Sequence, residues 1–129
     1  MGWVVRAGEV KAADLVRGYQ QHLTVPGLYG FSVQYQAGVP WQVLARAGQF
    51  PNARVSIAEE QDLRAALQSL GYDLRLVPSP GVGYHHTFVA LYDATGAMLT
   101  QLSLPVAQKL HETFAQVANP HRVRPRRSP

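Results

Sequence analysis

The segment that decides the fold is IAEEQDLRAALQSLGYDLRLVPSPGVGYHHTFVALY, residues 57–92. Its first part predicts an amphipathic helix, because apolar residues recur there at helical spacing: Leu63, Ala66, Leu67 and Leu70. Ser56 and Glu59 have the spacing of a capping box, in which two side chains satisfy free backbone donors at a helix start. Gly71 occupies the usual position for the end of a helix. We therefore expect a helix that starts just after Ser56 and ends at Gly71.

Strands are predicted on both sides of the loop in this segment. Apolar and polar residues alternate in YDLRLV, residues 72–77, and YHHTFVALY, residues 84–92, is rich in strand-forming residues. The turn at residues 93–96 ends in Gly96, which can supply a positive φ. Residues 97–104, AMLTQLSL, are therefore predicted to return as an antiparallel strand.

The rest of the chain supplies further elements. Helices are predicted over residues 10–23, 40–48 and 105–118, and short strands over residues 3–5, 31–36 and 53–57. Helices combined with antiparallel strands are typical of an α+β fold rather than a doubly wound α/β fold. The expected architecture is a small, mostly antiparallel sheet of three to five strands packed against two or more helices.

The positive charge of the chain is concentrated at its C-terminal end. Four arginines and no acid lie in PHRVRPRRSP, residues 120–129: Arg122, Arg124, Arg126 and Arg127. Removing these four from the twelve basic residues leaves eight, which equals the number of acidic residues. We therefore expect a single domain over residues 1–119, formally neutral, and a basic, proline-rich, disordered tail over residues 120–129. Such a tail either contacts nucleic-acid phosphates or only keeps the protein in solution.

The composition excludes several classes of protein. The chain has no cysteine, which excludes disulfides and thiolate chemistry. No apolar run approaches the roughly 20 residues of a membrane span, and the first residues do not resemble a secretory leader. These features favour a cytoplasmic protein without a membrane partner. We expect no cofactor and no metal, because His22, His111 and His121 lie far from the other histidines in sequence.

Two adjacent histidines, His85 and His86, lie at the start of the strand that follows the glycine-rich loop. Histidine is well suited to proton transfer near neutral pH, and it can also contact phosphate. Neighbouring residues in a strand point to opposite faces, and the sequence does not show which histidine faces solvent, because both faces are apolar downstream. Both are therefore candidate catalytic residues, and the alternative is that they are structural histidines at the edge of the core.

Residues around the histidines are candidates for substrate binding. The loop glycines would let a substrate approach the backbone closely, and Arg75 or the tail arginines would hold a phosphate. The candidate substrate-binding residues are Gly81, Gly83, Tyr84, Thr87 and Arg75. Together with the histidines, they predict a site at the start of this strand.

The same part of the chain resembles the HicA-type toxins, which are small RNA-cleaving members of toxin–antitoxin pairs with a double-stranded-RNA-binding-like fold. The LGY run at residues 70–72 matches the end of the family's first helix, and the GYH run at residues 83–85 stands where the family has a Gly-Ser-His signature. The resemblance covers about residues 57–117. This sequence differs from the family's pattern in three ways: it has a tyrosine where the family has serine, the loop before it is longer and contains prolines, and the domain is formally neutral. It implies a metal-independent ribonuclease with His85 as the catalytic histidine, His86 as the second choice, and an antitoxin as the protein partner.

Two interpretations of the function follow. The first is a toxin-like or defence-associated protein that acts on RNA, with one histidine doing acid–base chemistry at the ribose 2′-hydroxyl or the leaving oxygen. It requires an exposed histidine beside a positive charge. The second is a non-enzymatic protein-interaction module or subunit in which the histidines are structural. It requires a large exposed apolar or aromatic patch, or a homodimer face.

Overall fold

The computed structural model describes residues 2–21, 25–79 and 85–122. The strands are β1 (Gly2–Ala7), β2 (Gln20–Gln21), β3 (Tyr29–Ala37), β4 (Arg54–Glu59), β5 (Asp73–Pro78), β6 (His86–Tyr92) and β7 (Ala115–Ala118). The helices are α1 (Ala12–Gly18), α2 (Trp41–Ala47), α3 (Glu60–Gln68) and α4 (Leu104–Thr113). The strands pair antiparallel in the order β5-β6-β3-β1-β4-β7, and β2 pairs with the start of β3.

The sheet separates two layers of helices. Val4 and Val5 are neighbours on β1 and therefore point to opposite faces. Val4 belongs to the main core, which contains the buried faces of α1, α3 and α4. Val5 belongs to a smaller core with Leu44 and Ala45 of α2 and Val55 of β4. Three helices therefore cover one face of the sheet, and α2 packs on the other face against β1 and β3.

The α+β class is confirmed, but the prediction of a three- to five-stranded sheet is wrong, because the sheet has seven strands. The predicted return strand at residues 97–104 does not form. In this segment Met98 makes an isolated bridge to Tyr92, at the end of β6. β5 pairs with one edge of β6 and β3 occupies the other edge from His86 to Val89, so the returning segment reaches only the end of β6, where the Leu99 amide donates to the Leu91 carbonyl at 2.8 Å.

The last predicted helix is too long. α4 ends at Thr113, and the chain then forms β7, which pairs with β4. Val117 lies opposite Val55 and packs against the smaller core on the α2 side of the sheet. An apolar residue at this position is compatible with a helix or a strand, and the edge of β4 decides the outcome.

Ser56 and Glu59 do not form the predicted capping box. Both lie in β4, and α3 begins at Glu60. The Ser56 hydroxyl instead donates to the Gly8 carbonyl at 2.8 Å and accepts from the Val10 amide at 3.2 Å. It therefore fixes the connection between β1 and α1 rather than the start of a helix.

The first helix is shorter than predicted. α1 ends at Gly18, and residues 22–24 lie outside the described residues. The side chain of Tyr19 is buried, and its hydroxyl donates to the Leu99 carbonyl at 2.8 Å and accepts from the Leu91 amide at 3.1 Å. These bonds hold the segment that follows β6 against the main core.

A buried ion pair joins α3 to the sheet. Glu60, which is 7% exposed, accepts hydrogen bonds from the Tyr35 hydroxyl at 2.5 Å and the Arg64 guanidinium at 2.8 Å. Arg64 also donates to the Leu74 carbonyl on the edge strand β5. Burial alone would raise the pKa of Glu60, but the hydrogen bonds from Tyr35 and Arg64 outweigh it and lower the pKa. Burial and the same carboxylate raise the pKa of Tyr35 to about 12.

We expect Glu60→Gln to lower the free energy of unfolding at pH 7 by roughly 1–3 kcal/mol, because charge-assisted bonds to Tyr35 and Arg64 are weakened. A carboxylate whose pKa is lowered by folding stabilises the protein above its unfolded pKa of about 4.3. That contribution disappears as pH falls through the lower pKa of the folded state. Urea denaturation should therefore show a smaller difference between wild type and variant at about pH 3 than at pH 7.

The matched control is Glu59→Gln, which changes the exposed neighbouring carboxylate, whose side chain makes no capping bond. Its effect on the free energy of unfolding should stay within about 0.5 kcal/mol. A Glu60→Gln difference that is equally large at both pH values would contradict the role assigned to this carboxylate.

Candidate functional site

His86 is the first residue of β6 and lies directly opposite Gln34 on β3. Val89 and Leu91 belong to the main core, so His86 and Phe88, which alternate with them, point to the α2 face of the sheet. The His86 side chain is half-buried, and its ring meets the Phe88 ring edge-on with centroids 5.6 Å apart. The fold therefore places His86 on the face that α2 covers only in part.

A groove of about 290 Å³ opens beside His86. Its lining residues come from β1, β3, β6 and the loop after α2: Val5, Arg6, Ala7, Ser32, Val33, Phe50 and His86. The groove lies where β1 and β3 diverge, because their pairing ends at Val5 and Gln34. It therefore brings together residues that lie far apart in the sequence.

Arg6 is among the lining residues of this groove, but its side chain points to the opposite face of the sheet from His86, because it alternates with Val5 along β1 and shares the face of Val4. Its guanidinium donates to the Ser32 carbonyl at 2.6 Å and lies 5.5 Å from the centroid of the Phe31 ring. Burial lowers the pKa of Arg6 and the attraction of Asp14 opposes that shift, yet an arginine stays charged at neutral pH. Neither of the ion pairs among the described residues includes Arg6. The guanidinium therefore lies on the α1 side of the sheet, beside Gly18 and the main-core ring of Phe31, and not on the side of His86.

Gln34 is the buried polar neighbour of His86. It is 8% exposed, and its Oε1 makes no hydrogen bond within the described part of the chain. A buried amide oxygen without a donor costs free energy, so a donor from water or a ligand that reaches this atom would stabilise the site. The sequence did not single out Gln34, because alternation in residues 31–36 predicts that its polar side faces solvent.

His85 precedes β6 and does not follow strand geometry. Its φ is +60°, in the left-handed region. Its carbonyl accepts from the Tyr35 amide at 3.0 Å and from the Thr87 hydroxyl at 3.1 Å. Thr87 is 2% exposed and lies on the face opposite to His86, so its hydroxyl supports the backbone of His85. The rule that neighbouring strand residues point to opposite faces therefore does not extend to His85.

Arg75 is not brought together with the histidines. It lies on β5 opposite Ala90, which is four residues along β6 from His86, or about 13 Å. Its guanidinium lies 4.0 Å from the centroid of the Tyr92 ring, in a cation–π contact. It lines a separate groove of about 420 Å³ near the turn at residues 93–96.

The tail and loop candidates fall mostly outside the described residues. These are Gly81, Gly83, Tyr84, Arg124, Arg126 and Arg127. Arg122 is described, and its Nε donates to the Pro51 carbonyl at 2.8 Å. Within residues 2–21, 25–79 and 85–122, no group of three or more His, Cys, Asp or Glu side chains is placed to hold a metal ion. No helix in the same ranges has both the length and the apolar character needed to cross a membrane.

No family model, no curated protein and no solved structure matches this chain. The functional argument therefore rests on the groove beside His86. Of the side chains that form its polar part, the sequence predicted only His86. Arg6 and Ser32 belong to no local motif, and their proximity follows from the pairing of β1 with β3.

Proposed function

We propose that this protein binds and cleaves RNA, with His86 as the group that transfers the proton. The observation that carries the proposal is the groove that His86 shares with Arg6 and Ser32. An RNA-cleaving protein of this kind requires an accessible histidine beside a positive charge. The half-buried ring of His86 in this groove supports the first part of that requirement, whereas the charge of Arg6 lies across the sheet from the ring.

The chemistry needs a proton acceptor and a positive charge. The guanidinium of Arg6 lies on the other side of the sheet, so it acts on a phosphodiester in the groove only through its long-range field. Neutral His86 accepts the proton of the adjacent ribose 2′-hydroxyl. The 2′-oxygen then forms a bond to phosphorus, the bond between phosphorus and the 5′-oxygen breaks, and the leaving oxygen takes a proton from water. The products are a 2′,3′-cyclic phosphate and a 5′-hydroxyl.

The exposed apolar residues do not favour the alternative interpretation, a protein-interaction module. The large hydrophobic residues exposed in the described part are Val43 at 48%, Leu70 at 44% and Leu104 at 60%. Val43 lies on α2, whereas Leu70 follows α3 and Leu104 begins α4, on the other face of the sheet. A docking patch requires contiguous apolar area, which residues on opposite faces do not supply.

A toxin-like or defence-associated role in the cytoplasm, under the control of a protein partner, belongs to the same proposal. The resemblance to the HicA-type toxins assigns the catalytic role to His85. The groove favours His86 instead, because His86 lines it and His85 lies outside β6 with a φ of +60°. The resemblance therefore assigns catalysis to His85, whereas the groove assigns it to His86. Mutating each histidine separately distinguishes the two assignments.

The direct test is incubation of the purified wild-type protein with end-labelled RNA, both structured and unstructured, in the presence of a chelator. We expect cleavage that leaves 2′,3′-cyclic phosphate ends, because the 2′-hydroxyl is the attacking group. The matched control is the same oligonucleotide with 2′-O-methyl riboses, which should stay intact. Failure of the folded protein, as judged by circular dichroism, to cleave any of these RNAs would overturn the proposal.

A further inference from the structure

We propose a second anion-binding site, a basic groove lined by Arg46, Gln49, His121 and Arg122, which holds backbone phosphates of single-stranded RNA. This inference rests on the proposed function and extends it, because it names the form of the substrate and a second surface that binds it. The groove has a volume of about 660 Å³. Among the described residues, its lining contains two arginines, one histidine and no acidic residue.

The two arginines reach the groove from different parts of the fold. Arg46 lies in the last turn of α2 and is exposed. Arg122 follows β7, and its Nε donates to the Pro51 carbonyl at 2.8 Å. That bond uses one of the five N–H donors of the guanidinium, so the remaining donors are available to a phosphate. Arginine is the side chain best suited to such recognition, because its donors match two phosphate oxygens.

The segment that carries Arg122 is held in place by hydrogen bonds. The Asn119 side-chain amide donates to the Phe50 carbonyl at 3.1 Å and to the Asn52 carbonyl at 3.0 Å. The Asn119 backbone amide donates to the Ala53 carbonyl at 2.9 Å. Asn119 therefore holds the segment after β7 against the loop after α2 and positions Arg122 beside Arg46.

The basic groove adjoins the groove beside His86. Gln49 lines the basic groove, and Phe50, the next residue, lines the His86 groove. Consecutive Cα atoms are about 3.8 Å apart, so an RNA strand that crosses Gln49 and Phe50 passes from one groove into the other. A polyanion with repeated phosphates fits both grooves at once, whereas a free phosphate occupies only one. Basic grooves next to an aromatic ring such as Phe50 are typical of proteins that bind single-stranded nucleic acid.

The test is fluorescence anisotropy with a labelled, 2′-O-methyl single-stranded RNA of about 12 nucleotides, which is bound but not cleaved. We expect the double variant Arg46→Gln/Arg122→Gln to bind about tenfold more weakly at low salt than wild type. Each phosphate contact on a single strand contributes about 0.7 to the slope of log affinity against log salt, so the slope should fall by about 1.4. The charge-keeping variant Arg46→Lys/Arg122→Lys should restore most of the affinity and the slope.

The matched control is Arg17→Gln/Lys109→Gln, which removes the same charge from α1 and α4 on the other face of the sheet. Affinity losses of equal size in both glutamine variants would overturn the proposal that the basic groove binds RNA phosphates. RNA cleavage by wild type would still support the proposed function in that case. If only the Arg46→Gln/Arg122→Gln variant loses RNA affinity and wild type does not cleave RNA, the binding role of the basic groove is supported and the catalytic role of His86 is overturned. Displacement of the RNA by inorganic phosphate at low millimolar concentration, with no dependence on RNA length, would identify a free-phosphate site and overturn the inference.

Discussion

His86→Gln is expected to reduce the rate of RNA cleavage by about 10²–10⁴-fold, the usual contribution of a positioned proton-transfer group. Glutamine retains a polar side chain at the start of β6 but cannot accept the 2′-hydroxyl proton near neutral pH. The fold should survive, because His86 is half-buried at the end of a strand whose ladder is made by its backbone. Initial cleavage rates are measured beside thermal unfolding followed by circular dichroism.

The control for this prediction is His85→Gln. The bonds described for His85 are made by its carbonyl, which accepts from the Tyr35 amide and the Thr87 hydroxyl, and glutamine keeps that carbonyl. Cleavage should therefore stay within a few-fold of wild type. The opposite pattern, in which His85→Gln abolishes cleavage and His86→Gln does not, would transfer the catalytic role to His85, as the resemblance to the HicA-type toxins implies.

The pH dependence of cleavage distinguishes a base from a structural histidine. A general base acts in its deprotonated form, so cleavage by wild type should fall as pH drops through the pKa of the base. This fall on the acidic side is the acidic limb of the pH profile. The residual activity of His86→Gln should lack that limb. A limb that persists unchanged in the variant would show that another group titrates.

The helix–strand–strand part of the fold was predictable, because local periodicity decides it. Leu63 and Leu67 of α3 are fully buried, as the helical spacing predicts. Leu74 on β5 is buried in the main core, on the face that alternation assigns to it. Leu70, the last residue of the predicted apolar stripe, is 44% exposed, because α3 already ends at Gln68.

The elements that were predicted wrongly are decided by partners far along the chain. Residues 97–104 have the composition of a strand, yet β5 and β3 leave them only the end of β6, at Tyr92. Residues 115–118 continue an apolar pattern that fits a helix, yet they pair with β4. Intrinsic preference carries no information about which sheet edge is free, so tertiary pairing overrides it.

The candidate site shows the same limit. The sequence named His86 together with His85, because histidines at a strand start after a glycine-rich segment are a recognisable local pattern. Its surroundings were not predictable, since Arg6 and Ser32 are 26 positions apart and Phe50 comes from a third segment. The face of His86 was also undecided, because apolar residues lie on both faces of β6. The main core on one face and α2 on the other settle it.

Phe31→Ala is expected to lower the free energy of unfolding by about 3–5 kcal/mol, because it empties the centre of the main core. Phe31 is fully buried, with its ring centroid 6.5 Å from that of Tyr19 and 5.5 Å from the Arg6 guanidinium carbon. The loss is a large share of the 5–15 kcal/mol that stabilises a typical domain. Urea denaturation measures it, with Leu104→Ala, at a position 60% exposed, as the control that should change stability by about 0.5 kcal/mol or less.

Phe31→Leu separates the packing role of this ring from its effect on the candidate site. Leucine fills much of the same volume, so this variant should lose less than half as much stability as Phe31→Ala and stay folded. It removes the aromatic face beside the Arg6 guanidinium, a contact worth about 0.5–2 kcal/mol. RNA affinity of the folded Phe31→Leu protein should stay within a few-fold of wild type, because the contact between Phe31 and Arg6 lies on the main-core side of the sheet. A loss of RNA affinity by tenfold or more would show that Arg6 contacts the RNA directly. A Phe31→Ala protein as stable as wild type would contradict the burial of this ring in the main core.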